Sequence, residues 1–472
     1  MDLKHREIVI PNDEKIDAFL NCKLDRKKYA DVLTSIISSY SNGFVLAIDN
    51  KWGTGKTTFV KMWNQQLKNQ KYQTLYFNAW ENDFQEEVMI ALLSELEGLR
   101  NKGEETFTTL VEKSTTFLKK ILPSVVKGVA GKVVGDDAIN EVVGAVTEFT
   151  VEEVELQMKN YNEKKKGIND FRKALEKFVE KVDEDKPVIF IIDELDRCRP
   201  RYAVEVLEQI KHLFSVPGIV FVLSIDKVQL GNAVRGFYGS DLIEADDYLR
   251  RFIDLEYSIP EPNKQLMVDY LFQYYNFHEF FSVDHRKRSF PQEEINFKNF
   301  ANTITRDTNF SLRKMEKLFS LARVALRTTK VEHRLFPDLF LLLIFFKIEE
   351  ESVFKDICKK KYNVQELIDL VENYVVSSYQ NNQEVLVNCI ITIALAYHNY
   401  LNEGVYPNST FDIEKDERGE IIKVNYKSKF SDKSENYNLV DGYLNLRSQV
   451  TVSKLNLKPI LDKILLLNSI NT

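Results

Sequence analysis

Four cysteines in 472 residues, Cys22, Cys198, Cys358 and Cys389, stand far apart with no C-x-x-C spacing. That excludes a disulfide framework and a paired-cysteine zinc site, and it suits a reducing compartment, the cytoplasm. The six histidines form no H-x-x-x-H pair and are read as structural or exposed. No window holds the roughly 18 apolar residues that a spanning helix needs. The densest run, Leu339 to Phe346, follows Pro337 and is expected to be a buried helix. Met1 to Glu14 is polar and charged, so no secretory leader is expected there. Positive charge is not in excess: 64 Lys and Arg face 71 Asp and Glu, for a net charge of −7. This removes any general pull toward nucleic acid or anionic lipid and leaves only a local basic groove open. Internal repeats and extended low-complexity tracts are also missing. What remains is a chain with 44% hydrophobic residues, long enough for two or three domains and a sizeable core.

The most informative segment is Asn50-Lys51-Trp52-Gly53-Thr54-Gly55-Lys56-Thr57-Thr58. It follows the apolar run Phe44 to Ile48, which is read as a buried strand, and precedes a helical pattern from Thr57 to Leu67. Strand, glycine-rich turn and helix start together define a phosphate-binding loop. Gly53 and Gly55 let backbone N–H groups turn toward phosphate oxygens, and the helix adds its positive end. Lys56 is expected at the β- and γ-phosphates, and the Thr57 hydroxyl on Mg²⁺. The first glycine of the usual G-x-x-x-x-G-K-[ST] pattern is Asn50 here, a residue that tolerates a left-handed backbone. Lys51, early in the loop, is expected to face solvent.

A second segment complements the first. Lys186-Pro187-Val188-Ile189-Phe190-Ile191-Ile192 runs into Asp193-Glu194-Leu195-Asp196-Arg197. An apolar run rich in β-branched residues reads as a parallel strand buried on both faces. Asp193 at its end is expected to hold Mg²⁺ through water, and Glu194 to polarise the attacking water as general base. A core strand ending in a solvated acidic turn is the alternative, and the loop upstream argues against it.

Along the rest of the chain, a helix from Arg26 to Tyr40 feeds the first strand. A second strand is predicted at Tyr72 to Phe77 and a helix from Phe84 to Leu99. Residues 100–165 form an insertion. Its stretch from Thr115 to Val146 carries four glycines with Lys119, Lys120, Lys127 and Lys132 among apolar positions, which suits a helical hairpin or a membrane-surface segment. A charged helix is predicted from Val151 to Val182, then a helix at Tyr202 to Phe214 and a strand at Gly218 to Ile225. A helix near Lys227 to Gly236 and a short strand at Leu255 to Ile259 complete the series. Strands alternating with helices predict an α/β fold with a parallel sheet. Beyond Lys264 strand signals fade, except for a hairpin signal around Asp416-Glu417-Arg418-Gly419. The expected domains are 1–262 (core, with a helical insertion at about 100–180), 263–330 (helical lid) and 331–472 (helical, with a hairpin near 410–430).

Several motifs converge on one family. The chain resembles the KAP family of P-loop NTPases in Trp52-Gly53-Thr54-Gly55-Lys56-Thr57, in Phe77-Asn78-Ala79-Trp80 and in Asp193-Glu194-Leu195-Asp196-Arg197-Cys198 with Pro200. Ile210-Lys211, the pair Ser224 and Asp226, and Tyr248-Leu249-Arg250-Arg251 extend the resemblance, which spans about residues 5–330. It implies an AAA-like P-loop core, ATP and Mg²⁺ as cofactors, and ATP hydrolysis. Many members carry membrane helices between the two phosphate-site motifs. The insertion here lacks a span and so resembles the soluble members, which often act beside partner proteins in antiphage or plasmid-exclusion systems.

The resemblance also suggests further site residues. Ser224 and Asp226, at a strand end beside the acidic strand, would act as sensors of the γ-phosphate or simply end the strand. Arg250 or Arg251 would reach a neighbouring subunit's nucleotide in a homo-oligomer, or form a solvated basic pair. Arg313 opens a helix and resembles a second sensor arginine. Arg197 and Arg199 would serve as trans fingers or as partners of Asp196. Phe77 and Trp80 are read as core and sheet-edge packing. Three functions stay open: an ATP-driven switch or motor, a nucleotide-gated scaffold with little turnover, and a nucleic-acid-processing ATPase. The last would use His285-Arg286-Lys287-Arg288 with Phe280, Phe281 and Phe290, a stretch that otherwise reads as a solvated loop.

Overall fold

In a computed structural model the chain is described over residues 8–40, 43–84, 87–115, 151–306, 310–327, 329–375, 383–403, 411–429 and 437–470. These residues pack as two compact units, Ile8–Pro260 and Glu261–Thr472.

In the first unit, α1 (Lys27–Ser39) leads into β1 (Phe44–Asp49), α2 (Lys56–Asn69), β2 (Thr74–Asn78) and α3 (Val88–Leu96). Then come α4 (Val151–Val182), β3 (Val188–Asp193), α5 (Pro200–Gln209), β4 (Ile219–Ile225), α6 (Lys227–Tyr238), α7 (Ala245–Leu249) and β5 (Leu255–Tyr257). The five strands form one sheet in the order β2-β3-β4-β1-β5, with every pair parallel. Side chains alternate between its faces. Leu46, Ile48, Ile189, Ile191, Val220 and Val222 pack with Phe59, Trp63 and Leu67 of α2 and with α1. Val45, Ala47, Phe190, Ile192, Phe221 and Leu223 pack on the opposite side with α3, α4 and α5. Helices on both faces explain why β3 and β4 are apolar at nearly every position and buried along their whole length. Parallel pairing also brings the carboxyl ends of β1, β3 and β4 to one edge, where ligands bind in open α/β sheets.

Two helices are shorter than expected. The helix predicted over Phe84 to Leu99 begins at Val88 and tightens into a 3-10 stretch at Glu97–Lys102. The one predicted over Tyr202 to Phe214 widens into a π turn at Ile210–Phe214. Residues 116–150, which include the four lysines of the glycine-spaced segment, lie outside the described residues. Part of the apparent insertion belongs to the core: Phe171, Leu175, Phe178 and Val179 of α4 are buried on the sheet's second face. The Phe178 ring lies 5.4 Å from that of Phe107.

The described residues of the second unit are helical apart from an antiparallel pair, Ile413–Lys415 with Ile421–Val424. Leu339 to Phe346 lie buried in the helix Pro337–Glu349. The helix Gln383–Leu401 is long and apolar enough to cross a membrane, but most of it is buried inside this unit. Gln383, Glu384, Asn388 and Asn399 within it hid this run from a search for continuous apolar sequence.

The basic stretch at 285–288 also differs from expectation. It lies in the short helix Asp284–Ser289 rather than in a loop, and His285, Lys287 and Arg288 are exposed as a solvated stretch would be, but Arg286 is 1% exposed. Arg286 pairs with buried Glu293 and donates to the carbonyls of Val331 and His333 at 3.0 and 2.9 Å. Its guanidinium lies 4.2 Å from the centre of the Phe280 ring and 5.4 Å from that of Phe290. A buried arginine held this way ties its segment to the 331–335 turn.

Candidate functional site

The phosphate loop leaves β1 at Asn50, whose backbone N–H donates to Ile225 O at 3.1 Å. The Asn50 side chain then imitates a strand partner. Its Nδ2 donates to Ile259 O at 2.7 Å, and its Oδ1 accepts the Ile259 N–H at 3.0 Å. Asn50 is not among the residues with positive φ. The expected reason for asparagine here, tolerance of a left-handed backbone, is therefore replaced by a pair of hydrogen bonds that a glycine could not make. The left-handed positions are Gly53 (φ 76°) and Gly55 (φ 81°), where a side chain would be strained. The Thr54 hydroxyl donates to Lys51 O at 2.8 Å and closes the turn, while the Lys51 side chain is exposed. Thr57 and Thr58 are half-buried in the first turn of α2.

Lys56 is buried, and its ammonium donates to the carbonyl of Asn50 inside the loop. Burial lowers its pKa, while Asp196, Asp226, Asp193 and Asp49 pull the other way and favour the charged form. Those four acids come from the ends of β1, β3 and β4 or from just beyond them.

Asp193 ends β3 and is almost fully buried. Its Oδ2 accepts the Tyr76 hydroxyl at 2.8 Å, and its Oδ1 accepts the Glu194 N–H at 3.0 Å. Burial first, then the Asp193 charge, raises the Tyr76 pKa, so the phenol stays a donor. Glu194 adopts a left-handed backbone (φ 61°), a strain of about 1–3 kcal/mol for a non-glycine residue. Its carboxylate contacts Arg197 at 2.7 Å and accepts from Asn78 Nδ2 at 3.4 Å. Burial raises the Glu194 pKa, with Arg197 opposing. Tyr76 and Asn78 carried no role in the sequence expectations. Their signal was polar groups at alternate positions at the end of an apolar strand.

Trp52 hydrogen-bonds to both Asp196 and Asp226. The Trp52 indole N–H donates to Asp196 Oδ2. The Trp52 backbone N–H donates to Asp226 Oδ2 at 3.1 Å. The Asp226 backbone and the Trp52 indole both favour the ionised Asp196 carboxylate against the cost of its burial. Asp226 also caps α6 by accepting the Gln229 N–H at 3.3 Å. Its carboxylate is thus engaged by the loop and by a helix start. Asp196 has neither of its expected arginine partners: Arg197 pairs with Glu194, and Arg199 pairs with Asp83 at 2.9 Å. The expected packing role holds for Phe77, which is buried, but not for Trp80, which is 54% exposed with Arg197 over its ring.

Ser224 on β4 pairs in register with Ile48 of β1 and with Asp193 of β3. Its hydroxyl is fully buried without a hydrogen-bond partner among the described residues. Arg250 and Arg251 are exposed: Arg250 pairs with Asp247 at 2.9 Å, and the Arg251 carbonyl accepts from Lys211. Arg313 is exposed in the first turn of the helix Leu312–Arg327, in the second unit. The sheet edge therefore brings together Lys56, Thr57, Asp193, Glu194, Ser224 and Asp226, whereas Arg250 and Arg251 make their hydrogen bonds to other residues.

A left-handed glycine loop on a helix start, a buried lysine within it and a strand-end acid pair across the sheet edge define a P-loop nucleotide-binding domain. The model described as the KAP family P-loop domain matches residues 26–328. The chain belongs to the KAP family. A search of the curated proteins returns no match. Among solved structures, one described as the Aeropyrum pernix ORC2 protein in ADPNP and ADP complexes is 14% identical, covers 90% of this chain and 95% of its own, and has a TM-score of 0.32. The family assignment rests on the motifs and the domain match.

Proposed function

We propose that the chain binds ATP with Mg²⁺ and hydrolyses it, acting as a switch or motor subunit. The observation that carries this is Glu194. A carboxylate of raised pKa, held in a strained backbone one residue beyond Asp193, suits a general base beside a phosphate loop. Lys56 would exchange the Asn50 carbonyl for phosphoryl oxygens. Thr57 and Asp193 offer only oxygen donors, as a hard divalent cation prefers. Bound Mg²⁺ would neutralise part of the phosphoryl charge. The buried Ser224 hydroxyl, without a partner in the sheet, would sense the γ-phosphate side of the site, and Asp226 would hold the loop. Residues 263–330 would serve as the lid with Arg313 acting within its own chain. Arg250 or Arg251 would act across a homo-oligomer interface. Bacterial antiphage or plasmid-exclusion defence, in the cytoplasm beside partner proteins, is the setting that family resemblance favours.

Glu194→Gln tests the proposal. It should retain nucleotide binding and lose steady-state phosphate release, measured with ATP and GTP in Mg²⁺ or EDTA. Unchanged turnover would move the base elsewhere. A second reading, a nucleotide-gated scaffold with little turnover, gains support from the Arg197–Glu194 ion pair, which occupies the base. Under that reading Arg197→Ala raises turnover. Under the first reading it leaves turnover unchanged or lowers it.

A further inference from the structure

Arg26 precedes α1 and is 4% exposed. Its guanidinium reaches back across the sequence to the phosphate loop, where Nη1 donates to Gly55 O at 3.3 Å. Its Nε is buried without a partner among the described residues. Burying a cation costs several kcal/mol unless an anion compensates. The protein supplies that anion for two other enclosed arginines. Arg286 pairs with Glu293, and Arg323 with Glu279 at 2.9 Å. Both also carry a buried, unpartnered Nε, so the lack of a carboxylate among the described residues is what sets Arg26 apart from these two. The acids near it in sequence are committed elsewhere: Asp25 to Lys28 at 2.7 Å, Asp17 to Lys27 at 2.7 Å and Asp31 to Gln66 at 2.9 Å. Burial disfavours the charged form, and among the described residues Cys22 and Tyr29 oppose that effect.

The surroundings are already electropositive. Gly55 is the N-cap of α2, so the guanidinium lies at the positive end of a helix that also begins with Lys56. Three positive features therefore meet at one turn of backbone. Among the described residues, acids flank Lys56 but none flanks Arg26. A polyanion is the ligand chemistry that resolves this arrangement.

We propose that Arg26 is a phosphate-binding residue of the nucleotide site, a second cation beside Lys56. This rests on the nucleotide-site reading above. A residue that clamps Gly55 for structural reasons would instead be needed for stability in the absence of ligand.

The experiment compares the full-length parent, Arg26→Gln, Arg26→Met, Arg26→Lys and Lys56→Ala by calorimetric titration with ATP and with inorganic tripolyphosphate, together with thermal unfolding in the absence of either. Arg26→Gln should weaken ATP and tripolyphosphate alike by about tenfold or more, the loss of a charge-assisted hydrogen bond. Arg26→Lys should recover part of the loss. Arg26→Met, which removes an uncompensated buried charge, should leave the ligand-free melting temperature unchanged or raise it. Three results would overturn the proposal. One is unchanged affinity for both ligands. Another is weakened ATP with tripolyphosphate intact, which marks a nucleoside contact. The third is a fall in ligand-free melting temperature with affinities preserved, which marks a clamp. If the parent binds neither ligand, with Lys56→Ala indistinguishable from it, the nucleotide-site reading itself fails and the Arg26 role falls with it.

Discussion

Trp52→Phe isolates the bond between the phosphate loop and the segment after the acidic strand. The indole is 45% exposed, so phenylalanine sacrifices little buried apolar surface. What it removes is the N–H donated to Asp196, a carboxylate 7% exposed. Losing a hydrogen bond to a buried charged group costs about 1.5–3 kcal/mol. For a unit of this size that corresponds to a fall in Tm of about 2–4 °C for each kcal/mol. The cost also has a pH signature. Burial raises the Asp196 pKa, and the Trp52 bond and Lys56 oppose that rise. With a folded pKa above the unfolded value, ionised Asp196 costs stability above the folded pKa, and the cost is relieved as pH falls through it. Trp52→Phe raises that pKa further, so it should destabilise most at neutral pH and less in mild acid. A double-mutant cycle with Asp196→Asn, read by thermal unfolding at both pH values, reports the coupling directly. Coupling near zero, or a destabilisation independent of pH, would show that the bond does not hold the loop.

Lys56→Ala should abolish nucleotide binding in a calorimetric titration, because exposed Lys51 cannot replace a cation inside the loop; binding equal to the parent's would dismiss the loop assignment. Subunits carrying both Arg250→Ala and Arg251→Ala, mixed with Glu194→Gln subunits, should regain partial activity if sites are completed in trans, where a lost arginine costs on the order of 10³-fold. A concentration-independent rate with no rescue would return both arginines to a solvated face. Glu293→Gln should destabilise by about 3–5 kcal/mol in denaturant unfolding, because it leaves Arg286 buried without its carboxylate. A loss under about 1 kcal/mol would mean that the Val331 and His333 carbonyls suffice.

The sequence alone determined the parts whose signal is local. Gly53 and Gly55 are the positions that must turn left-handed, and Lys56-Thr57 must follow at a helix start, so the loop was legible in one short stretch. Val188 to Ile192 and Ile219 to Leu223 are apolar at consecutive positions because both faces of their strands are covered, and that coverage announces a parallel sheet before any fold is known. The hydrogen-bond partners were not legible, because a side chain's partner depends on which distant element is packed against it. Asn50 looked like a substitute for glycine until Ile259 was brought beside it. Asp196 looked like a partner for Arg197 or Arg199 until β4 and its Asp226 came between β1 and β3 and the Trp52 indole closed over it. Arg286 looked like part of a solvated basic run, and Arg26 gave no sign at all. Charge in a sequence reports what a residue carries, whereas burial and pairing are fixed by the packing of elements hundreds of residues apart.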